Sequence, residues 1–546
     1  MTLVNGSQIL ARALRRLRIE RFFFIMGGPM LAAESACLEE GLQGIDVRHE
    51  QAAAMMAHAY GRVLNTLGVC MAASGPGATN LITGVANAWA DSAPLLAIGG
   101  SAPLSQRGRD AFQEMDQVGT FKPITKWADQ VSDPKRIPEF VQIAARQAVS
   151  GRPGPVYLDL PGDILYKQVE ESEVAYLDGV TALERARPQG DPALVEDAVR
   201  LLQRSERPIV ITGSGILWSD ASKELQQFVE LAGLPFYTTP QGRGVVPDDH
   251  TLSFPTARST AFREADLLLV IGTRINYVIS HLAPPRFSAD AKLVQVDIDP
   301  AEIGHNRAAD VGIVGDARAV LHQLLAAADG RIDARRYDAW RAHLREVETQ
   351  KAAEHERAMS TDQTPIHPLR LCKEVRDFLD RDAILCVDGQ EILNYGRQSI
   401  PTFVPRHRLN SGPFGCMGVG LPFGIGAKVA KPQNQVLVLH GDGSFGLNAM
   451  ELDTAARFNI PVVTVVSLNG GWTADPQRNK PGRDLGYTAY HKMAEALGCY
   501  GEYVEEHSAI RPALERAFNA GVPAVVNVQT DWRARATTTQ FSVYST

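Results

Sequence analysis

Gly441-Asp442-Gly443-Ser444 and Asn469-Gly470-Gly471 are the most informative stretches of this sequence. An apolar run ends just before each of them, as is typical of buried parallel strands, and residues 447–458 between them have helical spacing. This unit brings Asp442 and Asn469 to the carboxyl ends of neighbouring strands, where such sheets bind ligands. Glycine allows the backbone to approach a phosphate, and Asp and Asn oxygens suit Mg²⁺. Together the stretches predict a site for a diphosphate and its metal, although the first alone also fits an ordinary glycine-rich turn.

The composition is that of a globular protein with several domains. The 546 residues fit three domains of about 180 residues each. The net charge of −7 gives no reason to expect nucleic acid as a partner, and no apolar run is long enough to span a membrane. The six cysteines form no Cys-x-x-Cys pair, and the N-terminus lacks a signal peptide. We therefore expect reduced thiols and a cytoplasmic location.

Two polar stretches, near 170–192 and 350–367, divide the chain into three segments. Each segment alternates short β-branched runs with helical stretches, which predicts an α/β fold of three parallel-sheet domains. The expected domains and the C-terminal tail are 1–170, 190–345, 365–530 and 531–546.

A glutamate stands at the predicted start of an alanine-rich helix in the first segment. The sequence Arg48-His49-Glu50-Gln51-Ala52-Ala53 follows a strand that is expected to end near Val47. Considered alone, Glu50 is an acid that complements the positive end of the helix dipole.

These motifs resemble those of the thiamine diphosphate (ThDP) enzymes of the decarboxylase and acetolactate synthase type. The family signature is Gly-Asp-Gly followed by Asn-Asn, and this chain keeps the second asparagine in Leu468-Asn469. The resemblance implies that Mg²⁺ is held by Asp442, Asn469 and the carbonyl of Gly471. The cofactor-binding residues that it implies are Gly415, Met417, Gly443, Ser444, Asn469 and Gly471.

The resemblance also implies how the cofactor is activated. Glu50 would bond to the pyrimidine N1′ of ThDP and share a proton with the ring, which promotes loss of the thiazolium C2 proton. Met417 would wedge the cofactor into its V shape, and the carbonyl of Gly415 would accept a bond from the 4′-amino group. In this family the domains that meet at one cofactor come from different chains, which implies a homodimer at minimum and commonly a homotetramer.

Long shared stretches, among them 150–161, 271–276 and 294–300, are most similar to oxalyl-CoA decarboxylases and 2-hydroxyacyl-CoA lyases. In that group the middle domain binds ADP and not FAD. The alternative is a domain that has lost its ligand, in which the acidic residue merely ends a strand. The ADP-binding residues that the resemblance implies are Arg152, Arg274, Asp297, Ile298 and Asp316.

Phe112-Gln113-Glu114 bears on the reaction. Lyases of 2-hydroxyacyl-CoA and acetolactate synthases carry this sequence, whereas oxalyl-CoA decarboxylases carry Tyr-Glu in place of Phe-Gln. The segment 470–476 lacks the pattern of the synthases, which favours a lyase. Gln113 is expected to be catalytic, because an amide both donates to and accepts from a hydroxyacyl thioester. The alternative is an amide that bonds only to the loop backbone.

Arginines are the expected ligands for the phosphates of coenzyme A, because the planar guanidinium binds phosphate well. The candidates are Arg258, Arg397 and Arg408, and the alternative for each is a solvated surface charge. The tail 531–546 is expected either to close over the site as a lid or to be a disordered end.

These features predict a ThDP-dependent lyase that cleaves a 2-hydroxyacyl-CoA to formyl-CoA and an aldehyde or ketone. The reaction is reversible, so the same site would also serve an acyloin-type synthase. The alternatives are an oxalyl-CoA decarboxylase, an acetolactate synthase, which would bind FAD, and a non-catalytic nucleotide-binding protein.

Overall fold

The structure is a computed structural model that describes residues 2–176, 183–472, 479 and 481–536. The chain forms two compact units. The first unit consists of Met1–Arg185, Ile384–Asn394 and Leu409–Thr546, and the second of Ala186–Ala383 and Tyr395–Arg408.

A parallel six-stranded sheet occupies the N-terminal part of the first unit. Its strands are β2 (Arg21–Phe24), β3 (Gln43–Asp46), β4 (Gly68–Ala72), β5 (Leu95–Ser101), β6 (Trp127–Gln130) and β7 (Pro155–Pro161). They lie in the order β3-β2-β4-β5-β7-β6. The helices of this part are α1 (Gly6–Arg16), α2 (Leu31–Glu39), α3 (Glu50–Leu64), α4 (Pro76–Ala90), α5 (Gln117–Phe121), α6 (Ile137–Val149) and α7 (Gly162–Tyr166). A short antiparallel pair joins β1 (Leu3–Asn5) and β8 (Gln168–Glu170).

The second unit contains a parallel five-stranded sheet. Its strands are β9 (Pro208–Thr212), β10 (Phe236–Thr238), β11 (Leu267–Ile271), β12 (Lys292–Asp297) and β13 (Val311–Val314). They lie in the order β10-β9-β11-β12-β13. The helices of this part are α8 (Pro192–Arg204), α9 (Ser214–Ser219), α10 (Ser222–Ala232), α11 (Arg258–Glu264), α12 (Ala317–Ala328), α13 (Asp338–Met359) and α14 (Pro368–Phe378).

The third sheet lies in the C-terminal part of the chain. Its strands are β14 (Ile384–Asp388), β15 (Arg408–Asn410), β16 (Val436–Gly441), β17 (Val463–Leu468), β18 (Tyr500–Val504) and β19 (Ala524–Gln529). They lie in the order β15-β14-β16-β17-β19-β18. The helices of this part are α15 (Glu391–Ser399), α16 (Gly420–Ala430), α17 (Asp442–Asn448), α18 (Glu451–Arg457), α19 (Tyr490–Ala496) and α20 (His507–Asn519).

Two inner strands of each sheet are buried along their whole length. This holds for β4 and β5, for β9 and β11, and for β14 and β17. Strands covered by helices on both faces read as continuous Val, Ile and Leu runs, which is why the sequence pattern predicts them. The prediction of three parallel-sheet α/β domains is confirmed.

Within the first unit, α3 from the N-terminal part packs against α16 from the C-terminal part. Small residues allow the two helix backbones to come close. A Cβ added at Gly426 of α16 would lie 2.4 Å from the Met56 carbonyl oxygen and 3.1 Å from the Ala59 Cβ. The alanines of α3 that suggested a helix in the sequence are therefore also the residues that make this close packing possible.

The structure also bears on the predictions about the cysteines and about membrane-spanning segments. The six cysteines are free thiols, and all are buried except the partly exposed Cys416. No helix in the described parts of the chain is long and apolar enough to cross a membrane.

Candidate active site

Asp442 lies where the sequence predicts it, at the carboxyl edge of the third sheet. Strand β16 ends at Gly441, and Asp442 is the first residue of α17. Its Oδ2 accepts hydrogen bonds from the backbone N–H groups of Gly470 (2.8 Å) and Gly471 (3.0 Å) after the neighbouring strand β17. Burial raises the pKa of Asp442 to about 6, although the backbone donors act in the opposite direction. The carboxylate therefore joins the ends of two adjacent strands.

Asn469 and Gly471 complete this edge. Asn469 directly follows β17, and its Oδ1 accepts from the Gly471 N–H at 3.1 Å. Gly471 has a φ of +155° and forms an antiparallel bridge with Asp484. A side chain at position 471 would collide with Arg483, whose carbonyl oxygen lies 2.2 Å from the place of a Cβ. The close approach of two backbone segments, and not only a ligand, therefore requires glycine here.

The donor set at this edge fits a diphosphate-bound magnesium ion. A carboxylate, an amide and the backbone around Gly471 offer hard oxygen ligands, which Mg²⁺ prefers. Gly443 has no side chain at the start of α17, and none would fit there, because a Cβ would lie 2.7 Å from the Trp472 ring. The hydroxyl of Ser444 is already engaged: it donates to the Gly441 carbonyl and lies 3.0 Å from the His440 Nδ1. The side chain of Ser444 thus holds the turn in shape.

His440 and Asp388 support the loop that carries Met417. The His440 Nε2 accepts from the Leu421 N–H at 2.9 Å, and an Asp388 carboxylate oxygen accepts from the Gly420 N–H at 2.9 Å. Burial lowers the pKa of His440 to about 3 and raises that of Asp388 to about 6. Both side chains are nearly inaccessible to solvent. They satisfy backbone donors at the start of α16 that the helix itself leaves unpaired.

The loop before α16 presents Met417 to solvent. Met417 is 39 % exposed and Phe414 is 52 % exposed, so Met417 is not a core residue in this chain. Gly415 adopts a φ of +68° with open space around its Cβ position, so glycine is needed there for the backbone conformation alone. An exposed, unbranched thioether next to a left-handed turn is free to contact a bound cofactor.

Glu50 begins α3, as the sequence predicts. His49 is the N-cap residue, and its Nδ1 accepts from the Gln51 N–H at 3.1 Å. The Glu50 Oε2 accepts from the Asn80 amide at 2.9 Å, and the Glu50 Oε1 would be 3.5 Å from a Cβ at Gly77. The carboxylate remains partly exposed. It is thus held at one oxygen and accessible to a ligand.

Gln113 is held in a loop by a strained backbone and one side-chain contact. It has a φ of +59°, and its Oε1 accepts from the Ser74 hydroxyl at 2.6 Å. Gly75 leaves room for it, because a Cβ at Gly75 would lie 2.8 Å from the Gln113 Cβ. The neighbouring Phe112 is 85 % exposed. Such backbone strain in a partly exposed loop is a common feature of functional sites.

A buried polar network that the sequence analysis missed anchors this loop. The Oε1 of Gln117 accepts from the Gly75 N–H at 2.7 Å. Its Nε2 lies 2.8 Å from the Gly100 carbonyl, the Tyr157 hydroxyl and the Asp159 carboxylate, so its two hydrogens are shared among three acceptors. Burial raises the pKa of Asp159, and its hydrogen-bond donors oppose that shift. The sequence around Gln117 gives no signal of this role, because the amide is identified only by its contacts in space.

The residues predicted for ADP occupy different environments. Asp297 ends β12 and is buried, and its Oδ1 accepts from the Asp299 N–H at 2.9 Å, with Ile298 between them. Arg274 follows the adjacent strand β11, so it and Asp297 share the carboxyl edge of the sheet. Asp316 caps α12 and accepts from the Ser219 hydroxyl at 2.7 Å with both oxygens. Both carboxylate oxygens of Asp316 therefore already have hydrogen-bond partners within the protein. Arg152 belongs to the first unit.

The arginines predicted for coenzyme A divide into two kinds. Arg408 is 2 % exposed and donates to the carbonyls of Gly396 (2.9 Å) and Ile400 (3.2 Å). The structure therefore does not support the expectation that Arg408 binds a ligand, because its donors are used inside the protein. Arg258, at the start of α11, is exposed, and no acceptor among the described residues contacts its guanidinium. Arg397 is only half-buried.

Arg258 is surrounded by other cations. The protein packed around its guanidinium lowers its pKa to about 10, and the charges of Arg286, Arg243 and Arg397 add to this effect. Of these neighbours, Arg243 is paired with Asp248. Arg258 and these three neighbours are called the arginine group below. It is an excess of positive charge within the second unit.

The C-terminal tail is described only in part. The Ala536 N–H donates to the Glu391 Oε2 at 2.7 Å, which fixes the chain at the last described residue. The rest of the predicted lid, residues 537–546, lies outside the described residues, as do residues 473–476 of the segment that distinguishes the synthases.

Comparison with known proteins agrees with this geometry. The chain matches the thiamine pyrophosphate (that is, ThDP) enzyme N-terminal TPP binding domain over 4–120, the central domain over 195–324 and the C-terminal TPP binding domain over 394–528. A 2-hydroxyacyl-CoA lyase of Oryza sativa subsp. japonica is 35 % identical over 556 residues, which is 97 % of this chain and 96 % of its own. A 2-hydroxyacyl-CoA lyase of Arabidopsis thaliana is 33 % identical with the same coverage. An acetolactate synthase large subunit of Mycobacterium tuberculosis is 34 % identical with the same coverage.

The chain therefore belongs to the thiamine diphosphate-dependent enzymes. Within them it is a member of the family that contains the 2-hydroxyacyl-CoA lyases and is related to the acetolactate synthases.

Proposed function

We propose that this enzyme is a Mg²⁺-dependent 2-hydroxyacyl-CoA lyase. It would cleave the bond between C1 and C2 of a 2-hydroxyacyl-CoA. The hydroxyl-bearing carbon leaves as an aldehyde or ketone, and the thioester carbon becomes formyl-CoA. The reverse reaction joins the same two molecules.

The observation that carries this proposal is the arginine group. The names of the relatives are divided between CoA lyases and acetolactate synthases. A CoA thioester carries phosphates, whereas the small keto acids of a synthase do not. The guanidinium of Arg258 contacts no acceptor among the described residues, and the protein packed around it, together with the charges of three further arginines, lowers its pKa. A phosphate of the substrate would supply the missing negative charge.

Each proposed catalytic group has a distinct task. Asp442, Asn469 and the carbonyl of Gly471 would hold Mg²⁺ and through it the diphosphate, and ThDP supplies a carbanion when it is bound. Glu50 would hold a proton at the pyrimidine N1′. Gln113 accepts from Ser74 through its oxygen, and no described residue accepts from its NH₂ group. That group would donate to the thioester carbonyl of the substrate.

We propose that the second unit binds ADP at the carboxyl edge of its sheet. Asp297 and Arg274 follow adjacent strands there, a suitable position for contacts with a ribose and a phosphate. Protein purified without added nucleotide, then denatured, should release ADP that mass spectrometry identifies. Release of FAD in its place would contradict the proposal and favour the synthase.

We further propose that the enzyme works as a homodimer or larger assembly of dimers. Large apolar side chains near the proposed site are exposed, and among them are Met26, Phe112, Phe414, Met417 and Leu447. A second copy of the chain would cover such a surface and bring its own Asp442 to the Glu50 of the first.

Product analysis tests the proposed reaction. Purified protein with ThDP and Mg²⁺ is incubated with a panel of 2-hydroxyacyl-CoA thioesters, with oxalyl-CoA and with pyruvate. Formyl-CoA together with an aldehyde or ketone is expected from the hydroxyacyl substrates. Release of CO₂ from oxalyl-CoA alone would instead identify an oxalyl-CoA decarboxylase. Acetolactate from pyruvate alone would identify a synthase, which is the second candidate because relatives with that name are equally similar.

The arginine group has its own test. Arg258→Ala should raise the KM for the CoA thioester about tenfold or more, because it removes a charge-assisted phosphate contact. Arg263→Ala is the matched control, since Arg263 is exposed on the same helix. Equal KM values for Arg258→Ala and the unmodified enzyme would contradict the assignment.

A further inference from the structure

Glu451 connects α18 to the turn that leads into α3. It is 1 % exposed and begins α18, near the diphosphate edge of the third sheet. Its Oε1 accepts from the backbone N–H groups of Arg48 (3.2 Å) and His49 (3.0 Å), and its Oε2 accepts from the Thr454 hydroxyl (2.7 Å). Glu50 is the next residue along the chain. A buried carboxylate from a distant part of the sequence thus receives both amides that directly precede Glu50.

These bonds favour the ionised form of Glu451. Burial raises the pKa of Glu451 to about 7, and the hydrogen bonds from Thr454, Arg48 and His49 lower it against that effect. Amide donors to a carboxylate are charge-assisted, and they are shorter and stronger than neutral bonds. The two N–H groups precede a helix, which leaves such donors without intrahelical partners. The carboxylate therefore fixes the backbone from which the Glu50 side chain projects.

A second contact of the same kind lies one residue further along. The Gln51 Nε2 donates to the Asn448 Oδ1 at 2.8 Å, and the Asn448 Nδ2 donates to the Gly418 carbonyl at 2.8 Å. Asn448 thus bridges the start of α3 and the residue after Met417. The residues on either side of Glu50 in the sequence are thus held by Glu451 and Asn448, and both of these belong to the C-terminal part of the first unit.

The opposite side of the turn is held as well. Arg457, also on α18, donates to the Asp46 carbonyl at 2.8 Å and pairs with its carboxylate at 3.1 Å. Asp453 lies 3.8 Å from the Arg48 guanidinium. Residues of α18 therefore contact Asp46, Arg48 and His49 around this connection, and Glu451 makes the buried one of these contacts.

We propose that Glu451 is a positioning residue for Glu50. It does not touch the reacting atoms. As a carboxylate it holds the amides of residues 48 and 49, and so directs the Glu50 side chain at the cofactor pyrimidine. This inference rests on the proposed role of Glu50, and it predicts that loss of the Glu451 charge slows cofactor activation without loosening the cofactor.

The test measures exchange of the ThDP C2 hydrogen for deuterium, by NMR after an acid quench, in protein loaded with ThDP and Mg²⁺. Glu451→Gln keeps the shape and loses the charge and one acceptor. We expect exchange to slow about tenfold, the effect of losing charge-assisted bonds. The dissociation constant for ThDP should stay within about threefold, because the diphosphate end is held elsewhere. Glu39→Gln, which removes an exposed carboxylate on α2 of the same unit, should leave exchange within about twofold.

Glu50→Gln separates failure of this inference from failure of the proposed function. If Glu50→Gln leaves exchange unchanged, the assigned role of Glu50 is wrong. If Glu50→Gln slows exchange while a folded Glu451→Gln exchanges at the rate of the unmodified enzyme, only the role of Glu451 is overturned. Should Glu451→Gln not fold, Thr454→Val removes just the hydroxyl that orients the carboxylate. It should slow exchange about threefold, and an unchanged rate would overturn the proposal.

Discussion

At the scale of single residues, Asp442 accepts from two backbone N–H groups and is also a proposed Mg²⁺ ligand, and one substitution tests both roles. Asp442→Asn keeps the size of the side chain but replaces one acceptor oxygen by a donor, which faces the N–H groups of Gly470 and Gly471. We expect the affinity for ThDP with Mg²⁺ to fall roughly hundredfold or more, since a charged ligand and its supporting bonds are lost together. A titration followed by tryptophan fluorescence measures this affinity.

Asp484→Asn is the control for that titration. Asp484 lies opposite Gly471, and its side chain is 60 % exposed. The substitution therefore removes the same charge from the neighbourhood and leaves the backbone bridge to Gly471 in place. Equal loss of affinity in both variants would show that general electrostatics, and not ligation by Asp442, holds the cofactor.

Glu34 gives a residue-scale prediction about stability. It is 2 % exposed, and burial, with a contribution from the Asp46 charge, raises its pKa from 4.5 to about 8. The folded protein therefore binds this proton more tightly than the unfolded chain does. The resulting stabilisation is complete below pH 4.5 and is lost as the pH rises through about 8.

Glu34→Gln should remove that dependence. Relative to the variant, the unmodified protein should lose on the order of 3 kcal/mol of unfolding free energy between pH 4.5 and pH 7. Thermal unfolding over this range measures the difference, with exposed Glu39→Gln on the same helix as the control. A difference between the Glu34 variant and the unmodified protein that stays constant with pH would contradict the buried, protonated state of Glu34.

At the scale of elements, the contact between α3 and α16 depends on the absence of a side chain at Gly426. Gly426→Ala should cost about 1–3 kcal/mol of stability, because the added Cβ would meet the Met56 carbonyl at 2.4 Å and the backbone must shift. Differential scanning calorimetry measures the loss. Ala430→Val, at the half-buried end of the same helix, should change little. An unchanged melting temperature for Gly426→Ala would argue against this close packing.

The same elements show how far the sequence determines the structure. Apolar runs before Gly441 and Asn469 correctly predict β16 and β17, because strands buried on both faces leave a local signal. The helical spacing of residues 447–458 corresponds mostly to α18, but the structure has a break that the spacing does not show: α17 ends at Asn448 and α18 begins at Glu451. No proline or glycine marks the break. It places Asn448 and Glu451 against the start of α3, and contacts across some 400 positions of sequence leave no periodicity to detect.

The candidate site follows the same division. Glu50, Asp442 and Asn469 stand in short motifs, and the structure places them at the helix start and strand ends that the motifs predict. Gln117 and Glu451 were not predicted, because a buried amide or carboxylate is recognised only by its partners in space. Arg408 was misjudged for the same reason, since a charge in sequence does not show whether it faces solvent.

At the scale of the whole molecule, the proposed dimer has a direct test. If Glu50 of one chain serves the Asp442 of its partner, Glu50→Gln and Asp442→Asn damage opposite sides of each site. Mixing the two inactive proteins under conditions of subunit exchange should restore about one quarter of the normal activity, because half of the dimers are mixed and half of their sites are intact. Each variant exchanged with itself is the control. No recovery despite demonstrated exchange would place both residues in one chain's site.

The packing of α3 on α16 also bears on how the protein is made. Helix α3 ends at Leu64 and α16 begins at Gly420, so the ribosome adds about 350 residues between them. At about 5–20 residues per second, the alanine-rich side of α3 waits roughly 20–70 s for its partner. During that interval the nascent chain exposes the apolar face of α3 that later packs against α16. The yield of folded protein in a heterologous host should therefore depend more on a lower growth temperature, or on extra ribosome-associated chaperones, than on codon choice near the 3′ end of the gene.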